Sequence, residues 1–292
     1  MLTAVGTHLM RLTDTKVYYC GGFASSTFYN EKKIKPGRDG ESRQPPNAKH
    51  GIMRHMEDAK FERSRSLLGE EAFERLSSAH VAVFGVGGVG GWCAEALTRT
   101  GMRRLTIIDD DTVTESNINR QRQATPSTIG RPKVEVLRNI LHEINPMAEV
   151  TAVPKRYAYE TSGDFDGILS SCDLVVDAID SVDCKAHLIR KCVEGIGGRA
   201  IPILSSMGAA LRTDPTKIRT APFHKVTGDG LAKALRNRFR KSGFPLPKHP
   251  CVYSEELPDG KPGETKGSIM PVTCAFGMVL ASLAMQTMRE RT

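Results

Sequence analysis

The sequence predicts an α/β protein built around a doubly wound, mostly parallel sheet of the Rossmann type. A predicted strand at 80–84 leads into a turn, 85–91, in which five of the seven residues are glycine, and a helix follows at 92–100. Further predicted strands alternate with helices, which is the pattern of a parallel sheet covered on both faces. Hydrophobic residues make up 39% and charged residues 25% of the 292 residues. These proportions exclude a disordered or collagen-like chain.

The N-terminal part of the chain differs from the rest. Residues 1–58 lack sustained periodicity, and 32–49 is a polar, proline-bearing run. We therefore predict a poorly ordered extension at 1–58, or a gene start placed too far upstream, followed by a folded domain at 59–292. Met53 or Met56 would be a more natural first residue. The extension has no apolar signal core, and its mixed charges do not fit a mitochondrial transit peptide, so the predicted location is the cytoplasm.

The elements of the folded domain follow from local patterns in chain order. Apolar residues at helical spacing predict the first helix, and Pro132 marks the first turn of a later one, which stops at Asn145. The predicted helices are 61–76, 92–100, 132–144 and 229–241, and the predicted strands are 80–84, 104–108, 149–153, 174–177 and 200–204. A Gly/Pro-rich loop is predicted at 255–268.

The most apolar segment lies near the C-terminus, at 269–288. Pro271, Gly277 and several hydroxyl residues interrupt it, so it predicts a buried C-terminal helix and no membrane span. The seven cysteines include no CxxC pair and no close histidine partners, which argues against a disulfide framework or a zinc site. Cys184 is predicted to be a packed thiol, and Cys251 is a minor candidate for a chemical role.

Positive charge is concentrated in one part of the chain. The formal net charge is +8, and residues 215–249 carry nine basic side chains against one acidic side chain. This basic insertion includes the predicted helix 229–241, whose spacing places Lys233, Arg236 and Arg240 on one exposed stripe. Such a stripe suits a polyanionic partner, or it is merely a solvated face.

The glycine turn has the spacing of a nucleotide-binding motif, Gly85-x-Gly87-x-x-Gly90. Its glycines allow close backbone approach to phosphate, and the following helix offers free N–H groups. Asp109 closes the second strand and suits a ribose hydroxyl. The turn itself does not distinguish NAD from ATP.

The segments after the second strand favour a triphosphate. They are 109–113, which holds three consecutive aspartates, 115–121 and 130–133, and the last two supply an Arg and a Lys. A dehydrogenase needs no cations over the phosphates, whereas cleavage of a triphosphate leaves charge that they neutralise. Asp180 follows a predicted strand at the same sheet edge and is an oxygen ligand suited to Mg²⁺. These segments favour nucleotidyl transfer.

Together these motifs resemble the adenylating domain of the ubiquitin-activating enzyme superfamily over residues 60–290. The motifs are the glycine turn, Asp109-x-Asp111-x-Val113, Ser116-Asn117-x-x-Arg120-Gln121, Gly130-x-Pro132-Lys133, Asp180 and the upstream Lys60-Phe61-Glu62-Arg63. The resemblance implies ATP with Mg²⁺ as metal, and Arg63 acting on the nucleotide of the other subunit in a homodimer. The implied nucleotide site consists of Gly85, Gly87, Gly88, Gly90, Asp109, Asp111, Ser116, Asn117, Arg120, Lys133 and Asp180, with Arg63, Arg120 and Lys133 as catalytic cations and Asp180 as the Mg²⁺ ligand.

Within that superfamily the chain most resembles the tRNA threonylcarbamoyladenosine dehydratases. The supporting segments are 117–120, 177–182, 205–209 and 214–216. The resemblance implies tRNA as substrate and leaves open whether a sulfur-relay acceptor protein is a further partner. The positive excess of the basic helix predicts that Lys233, Arg236 and Arg240 contact the tRNA backbone. Two other hypotheses remain open: an adenylyltransferase for a ubiquitin-like sulfur carrier, and a catalytically silent binding module of the same fold. Sulfur-carrier-activating relatives generally carry two CxxC pairs, which this sequence lacks.

Overall fold

Seven strands, numbered in chain order, form one sheet in the part of the chain that the structure describes. Their bounds are β1 His80–Phe84, β2 Arg104–Ile108, β3 Glu149–Val153, β4 Leu174–Asp177, β5 Ile203–Ser206, β6 Ile218–Pro222 and β7 Pro250–Ser254. Their order is β3-β2-β1-β4-β5-β7-β6, and all neighbours are parallel except β6 and β7. The predicted α/β fold with a doubly wound, mostly parallel sheet is confirmed.

The computed structural model describes residues 59–258 and 266–290. The predicted extension at 1–58 and residues 259–265 of the predicted loop at 255–268 lie outside these residues. The helices are α1 59–68, α2 Glu70–Ser78, α3 Gly90–Thr100, α4 Lys133–Ile144, α5 Asp166–Ser171, α6 Val182–Glu194, α7 Gly230–Lys241 and α8 Met270–Arg289.

Alternate residues of β1 enter two separate cores, because side chains alternate between the faces of a strand. Val81 and Val83 pack with residues of α3, α4 and α8. Ala82 and Phe84 pack with residues of α5, α6 and α7. A strand buried on both faces is typical of a parallel sheet between two helical layers, and it leaves the carboxyl ends of the strands as the open edge.

The C-terminal helix α8 is long and apolar enough, by length and composition, to cross a membrane. One of its faces lies in the core beside α3, where Val272, Phe276, Leu280 and Ala284 are fully buried. The prediction of a buried helix at 269–288 therefore agrees with its packing in this structure.

Three details of the predicted elements are wrong. The predicted helix at 61–76 is two helices, because the chain turns at Gly69, where φ is 80°. The strand predicted at 200–204 begins later, at Ile203. Strands β6 and β7 were not predicted. β6 is an edge strand with mostly exposed residues and therefore carries no apolar alternation. β7 lies inside the sheet with four buried residues, and its short apolar run was missed.

Candidate active site

The candidate site lies where β1 and β4 meet. The helices that follow these two neighbouring strands, α3 and α6, lie on opposite faces of the sheet. A crevice therefore opens at their carboxyl ends, which is the usual ligand position in a doubly wound sheet. The glycine turn follows β1, Asp109 follows β2, and Asp180 follows β4 by three residues. The fold brings these three predicted features to one edge.

The glycine turn packs directly on the segment after β4. A Cβ atom at Gly90 would overlap the carbonyl oxygen of Gly85, and one at Gly85 would lie 2.8 Å from the carbonyl oxygen of Ala178. Side chains are therefore excluded at both positions. By contrast, a Cβ atom at Gly87 would meet nothing closer than 3.7 Å, so this part of the turn leaves room for a phosphate beside the N-terminus of α3.

Asp109 fixes the turn while keeping acceptor capacity. Its Oδ2 accepts the N–H of Val86 at 2.8 Å and its Oδ1 accepts the N–H of Asp111 at 2.9 Å. Burial raises the pKa of Asp109, against the opposing effect of Lys133 and the two N–H donors. Each carboxylate oxygen has a second lone pair, so a ribose diol is a suitable partner for this side chain.

Lys133 is a buried cation at the first residue of α4. Its Nζ donates to Oδ2 of Asp111 at 2.6 Å, and its side chain is 6% exposed against 64% for Asp111. The stem is thus held in the protein, while the ammonium meets a carboxylate that faces solvent. A bound triphosphate could accept a hydrogen bond from the Lys133 ammonium, either together with Asp111 or in its place.

The segment 116–120 forms a tight turn beside the glycines. Asn117 is buried, and its Oδ1 accepts the N–H of Thr114 at 3.2 Å. Arg120 donates to the carbonyl of Ser116 at 2.7 Å, and its carbonyl accepts the indole N–H of Trp92 at 3.0 Å. The Cγ of Arg120 lies 3.4 Å from a Cβ built on Gly88. Arg120 therefore lies against the glycine turn, whereas Asn117 supports the backbone of this segment.

Exposed carboxylates remain available for a cation at this edge. Asp109, Asp110 and Asp111 each place an oxygen within 4.8 Å of one another, but the contacts above already engage Asp109 and Asp111. Asp180 is exposed, and its carboxylate has no partner among residues 59–258 and 266–290. Mg²⁺ binds proteins through one or two carboxylates plus phosphate oxygens, so Asp180, with Asp110 as a second candidate, fits this ion.

A buried ion pair beneath Asp180 was missed by the sequence analysis. Lys185 of α6 and Asp177 of β4 are both fully buried, with Nζ 2.9 Å from Oδ2. The same Nζ donates to the carbonyl of Ile179 at 3.0 Å, and Oδ2 of Asp177 accepts the hydroxyl of Ser205 at 2.8 Å. Lys185 thus holds the 177–180 turn from below.

A sequence signal for Lys185 existed. The residue occupies the apolar face of α6, three or four residues before Leu188 and Ile189 and seven before Cys192, all of which are fully buried. A lysine in such a row must be neutralised by a partner. Its spacing therefore indicates a buried ion pair, without naming the carboxylate.

Arg63 lies on α1, away from this assembly. It is exposed, and it makes no hydrogen bond or ion pair with the residues that the structure describes. Leu67, one helical turn further on, is 84% exposed. The two side chains share a face of α1, and no residue in the part of the chain that the structure describes covers that face.

The basic helix α7 is anchored to the same sheet edge. Asp229 caps α7 by accepting the N–H of Ala232 at 2.9 Å and pairs with Arg212 at 2.9 Å, and both charged side chains are buried.

On the outer side of α7, Lys233 and Arg240 are exposed, as predicted. Arg236 is not fully exposed: it donates to the carbonyl of Val226 at 2.8 Å and lies 6.0 Å over the ring of Phe223. The predicted stripe therefore loses its middle member.

Neither cysteine that was considered for chemistry is exposed. Cys184 and Cys251 are buried, and burial raises the pKa of the Cys251 thiol far above its usual value. His249, whose Nε2 lies 3.4 Å from that thiol, has its pKa lowered by burial to about 3 and is neutral. A buried neutral thiol beside a neutral imidazole is a poor nucleophile.

Comparison with known proteins decides the family. The ThiF family model matches residues 61–291. The chain belongs to the ThiF family. It is 40% identical to the tRNA threonylcarbamoyladenosine dehydratase of Bacillus subtilis over 198 residues, which cover 68% of this chain and 75% of that protein.

A solved ThiF-family relative matches the fold as well. The crystal structure of Escherichia coli tRNA N6-threonylcarbamoyladenosine dehydratase in complex with ATP is 36% identical, with a TM-score of 0.72, and the match covers 79% of this chain and 94% of that one. The chain is also 34% identical to the molybdopterin-synthase adenylyltransferase of Salmonella typhimurium over 144 residues, which cover 49% of this chain and 54% of that protein. The second relation spans less of both chains.

Proposed function

We propose that this chain is an ATP-dependent tRNA threonylcarbamoyladenosine dehydratase. One observation supports this most strongly: the glycine turn, Asp109, Lys133 and Asp180 lie at one sheet edge in a ThiF-family chain whose match to the E. coli dehydratase covers 94% of that enzyme. The proposal predicts AMP formation only when ATP and tRNA carrying threonylcarbamoyladenosine are both present. AMP formation with unmodified tRNA would contradict it.

In the first step the threonyl carboxylate attacks the α-phosphate of ATP, and pyrophosphate leaves. The N–H groups at the glycine turn and α3 hold the phosphates, and Asp109 orients the ribose. Arg120 and Lys133 neutralise the charge that develops on the triphosphate. Mg²⁺, when bound at Asp180, would supply further positive charge against the phosphate oxygens.

In the second step the carbamoyl group of the same modified base attacks the acyl carbon of the mixed anhydride. AMP leaves with one carboxylate oxygen, and the carbamoyl group loses a proton, so the base loses one water in total. Intramolecular reactions of this kind reach effective molarities of about 10⁵ M or more. Positioning therefore suffices, consistent with the buried state of Cys184 and Cys251.

An adenylyltransferase for a ubiquitin-like sulfur carrier is the second candidate. It shares the ATP site, and the similarity to molybdopterin-synthase adenylyltransferase supports it over about half of the chain. The two functions differ in their acceptor carboxylate. Pyrophosphate exchange stimulated by a Gly-Gly-ended protein, and not by tRNA, would favour this candidate.

We further propose that the protein acts as a homodimer in which Arg63 serves the nucleotide of the partner subunit. The open face of α1, with Arg63 beside the exposed Leu67, supports this arrangement. A cation supplied in trans contributes on the order of 10³-fold to phosphoryl-transfer rates. We expect Arg63→Ala to be nearly inactive, yet to regain activity when mixed with inactive Lys133→Ala subunits, because the mixed dimer contains one intact site.

Subunit exchange must be shown independently, with two differently tagged chains recovered together. If such mixed dimers form and no AMP is produced, the action of Arg63 across the interface is refuted.

The basic helix is proposed to bind the phosphate backbone of tRNA. Each phosphate contact contributes roughly 0.7–0.9 to the slope of log affinity against log salt. We expect Lys233→Ala with Arg240→Ala to flatten that slope by about 1.5 units and to leave ATP affinity unchanged. Arg236→Ala is the matched contrast: because Arg236 supports Val226 and Phe223, it should lower thermal stability more than it changes the slope. If the double variant keeps the parent slope of log tRNA affinity against log salt, α7 does not bind tRNA and its cations form only a solvated face.

A further inference from the structure

An exposed aromatic side chain lies on a segment that leaves the candidate active site. Tyr159 is 73% exposed, and its ring meets the imidazole of His187 edge-on, with centroids 5.1 Å apart at 84°. One face of the tyrosine ring is thus open to solvent, and no catalytic step described above uses it.

The position of this pair is rigid. His187 accepts or donates a hydrogen bond with the hydroxyl of Tyr157 at 3.0 Å. Tyr157 is buried and packs edge-on against Phe84, the last residue of β1, at 5.3 Å. Burial, followed by Lys191 and Arg190, lowers the pKa of His187. The ring beneath Tyr159 is therefore a fixed, neutral imidazole.

The backbone that carries Tyr159 is also held in place. The hydroxyl of Thr161 donates to the carbonyl of Arg156 at 2.8 Å and accepts the N–H of Ala158 at 3.0 Å. Ser162 donates to the carbonyl of Tyr159 at 2.8 Å, and Lys191 of α6 donates to the carbonyl of Ser162 at 2.8 Å. An aromatic ring on such a preorganised segment loses little entropy on binding.

Both sides of this pair connect to the candidate site. The segment of Tyr159 begins at the end of β3, where the carbonyl of Val153 accepts the N–H of Asp109 at 3.3 Å. His187 belongs to α6, which begins two residues after Asp180. The pair thus lies where the chain leaves two strand ends that carry predicted nucleotide-site residues.

The charge around Tyr159 suits a nucleic acid. Arg156 is exposed, and its guanidinium has no partner among residues 59–258 and 266–290. Glu160 is the acidic neighbour, and Lys155 is paired with Asp164. An exposed ring with a free guanidinium three residues earlier on the same segment suits the way proteins bind unpaired bases, with the ring stacking on the base and the cation contacting phosphate.

We propose that Tyr159 and His187 form a stacking site for an unpaired base of the tRNA next to the modified adenosine, with Arg156 on the adjoining phosphate. The inference rests on the proposed function, because that function supplies the RNA. It adds a contact that the basic helix does not provide: an aromatic surface at the reaction edge. Bases splayed from a loop are the usual targets of such surfaces.

The test measures tRNA affinity and the Michaelis constant for tRNA in three variants. We expect Tyr159→Ala to weaken tRNA binding by about ten-fold, since stacking on one aromatic ring is worth that order of affinity, and to leave ATP affinity unchanged. Tyr159→Phe keeps the ring and should bind within about two-fold of the parent protein. Met147→Ala is the control: Met147 is also exposed, but it precedes β3 at the opposite edge of the sheet.

Three results would overturn the stacking site: unchanged affinity in Tyr159→Ala, equal loss in Tyr159→Phe, or a loss of subunit association in Tyr159→Ala that accounts for the weaker binding. The last would make this surface a protein interface. The proposed function is tested separately, by conversion of tRNA by the parent protein. If the parent protein converts tRNA and Tyr159→Ala binds tRNA equally well, the stacking site alone is refuted.

Discussion

Replacing Asp180 with alanine is expected to lower AMP formation by about 10³-fold, and replacing Lys133 by about 10²-fold or more. Both side chains meet the triphosphate in our account, where a metal ion and a fixed cation each contribute several kcal/mol to the transition state. Lys133→Met is the sharper variant, because methionine keeps the buried stem that packs at the start of α4 and removes only the charge.

The control for these variants is Glu115→Ala, which removes an exposed carboxylate from the same edge. It should form AMP at nearly the parent rate, and all variants should keep the parent melting temperature within a few degrees. Near-normal AMP production by either Asp180→Ala or Lys133→Met at saturating Mg·ATP would remove that residue from the catalytic assignment.

Lys185→Met should have the largest effect on stability. Breaking one side of a buried ion pair leaves an uncompensated charge and costs about 3–5 kcal/mol in the free energy of unfolding. It also releases the carbonyls of Asp177 and Ile179, so the turn that carries Asp180 loses its support. We expect Mg·ATP affinity to fall by about ten-fold while AMP affinity, which needs no metal, stays within two-fold.

A double variant separates these two effects. Asp177→Asn with Lys185→Met removes both charges and should recover part of the stability, yet Mg·ATP binding should remain weak because the turn is still unsupported. Lys191→Met is the control on the same helix, since Lys191 pairs with Asp166 and supports Ser162 instead. If the double variant binds Mg·ATP as the parent does, Lys185 serves stability alone.

The sequence predicted those parts of the site that depend on neighbours along the chain. The glycine turn, Asp109 and Asp180 each follow a strand whose apolar pattern is local, and a parallel sheet brings such strand ends together without further information. The element bounds of β1, β2 and β4 follow for the same reason, because these central strands are buried and form apolar runs in the sequence.

The features that the sequence did not predict depend on contacts between residues that are distant along the chain. Lys185 finds Asp177 only when α6 packs on β4, and β6 is defined by its pairing with β7. Arg236 shares a helical stripe with Lys233 and Arg240, but the preceding loop returns Val226 to its guanidinium. Helical spacing describes the helix and contains no information about such a loop.

The ATP site is common to both candidate functions and does not distinguish tRNA from a protein acceptor. Features of the surface favour tRNA. A sulfur-carrier adenylyltransferase must bind a Gly-Gly tail, whereas this chain has exposed cations on α7 and an exposed aromatic ring, Tyr159, on the segment that follows β3. Both features suit RNA. A catalytically silent binding module would not require the buried ammonium of Lys133 to face the exposed carboxylate of Asp111.

Nucleoside mass analysis of tRNA after incubation with the protein, ATP and Mg²⁺ tests the central claim most directly. We expect threonylcarbamoyladenosine to be replaced by a nucleoside lighter by one water, with one AMP formed for each base converted. Unchanged threonylcarbamoyladenosine, under conditions in which the protein binds both ATP and tRNA, would contradict the account.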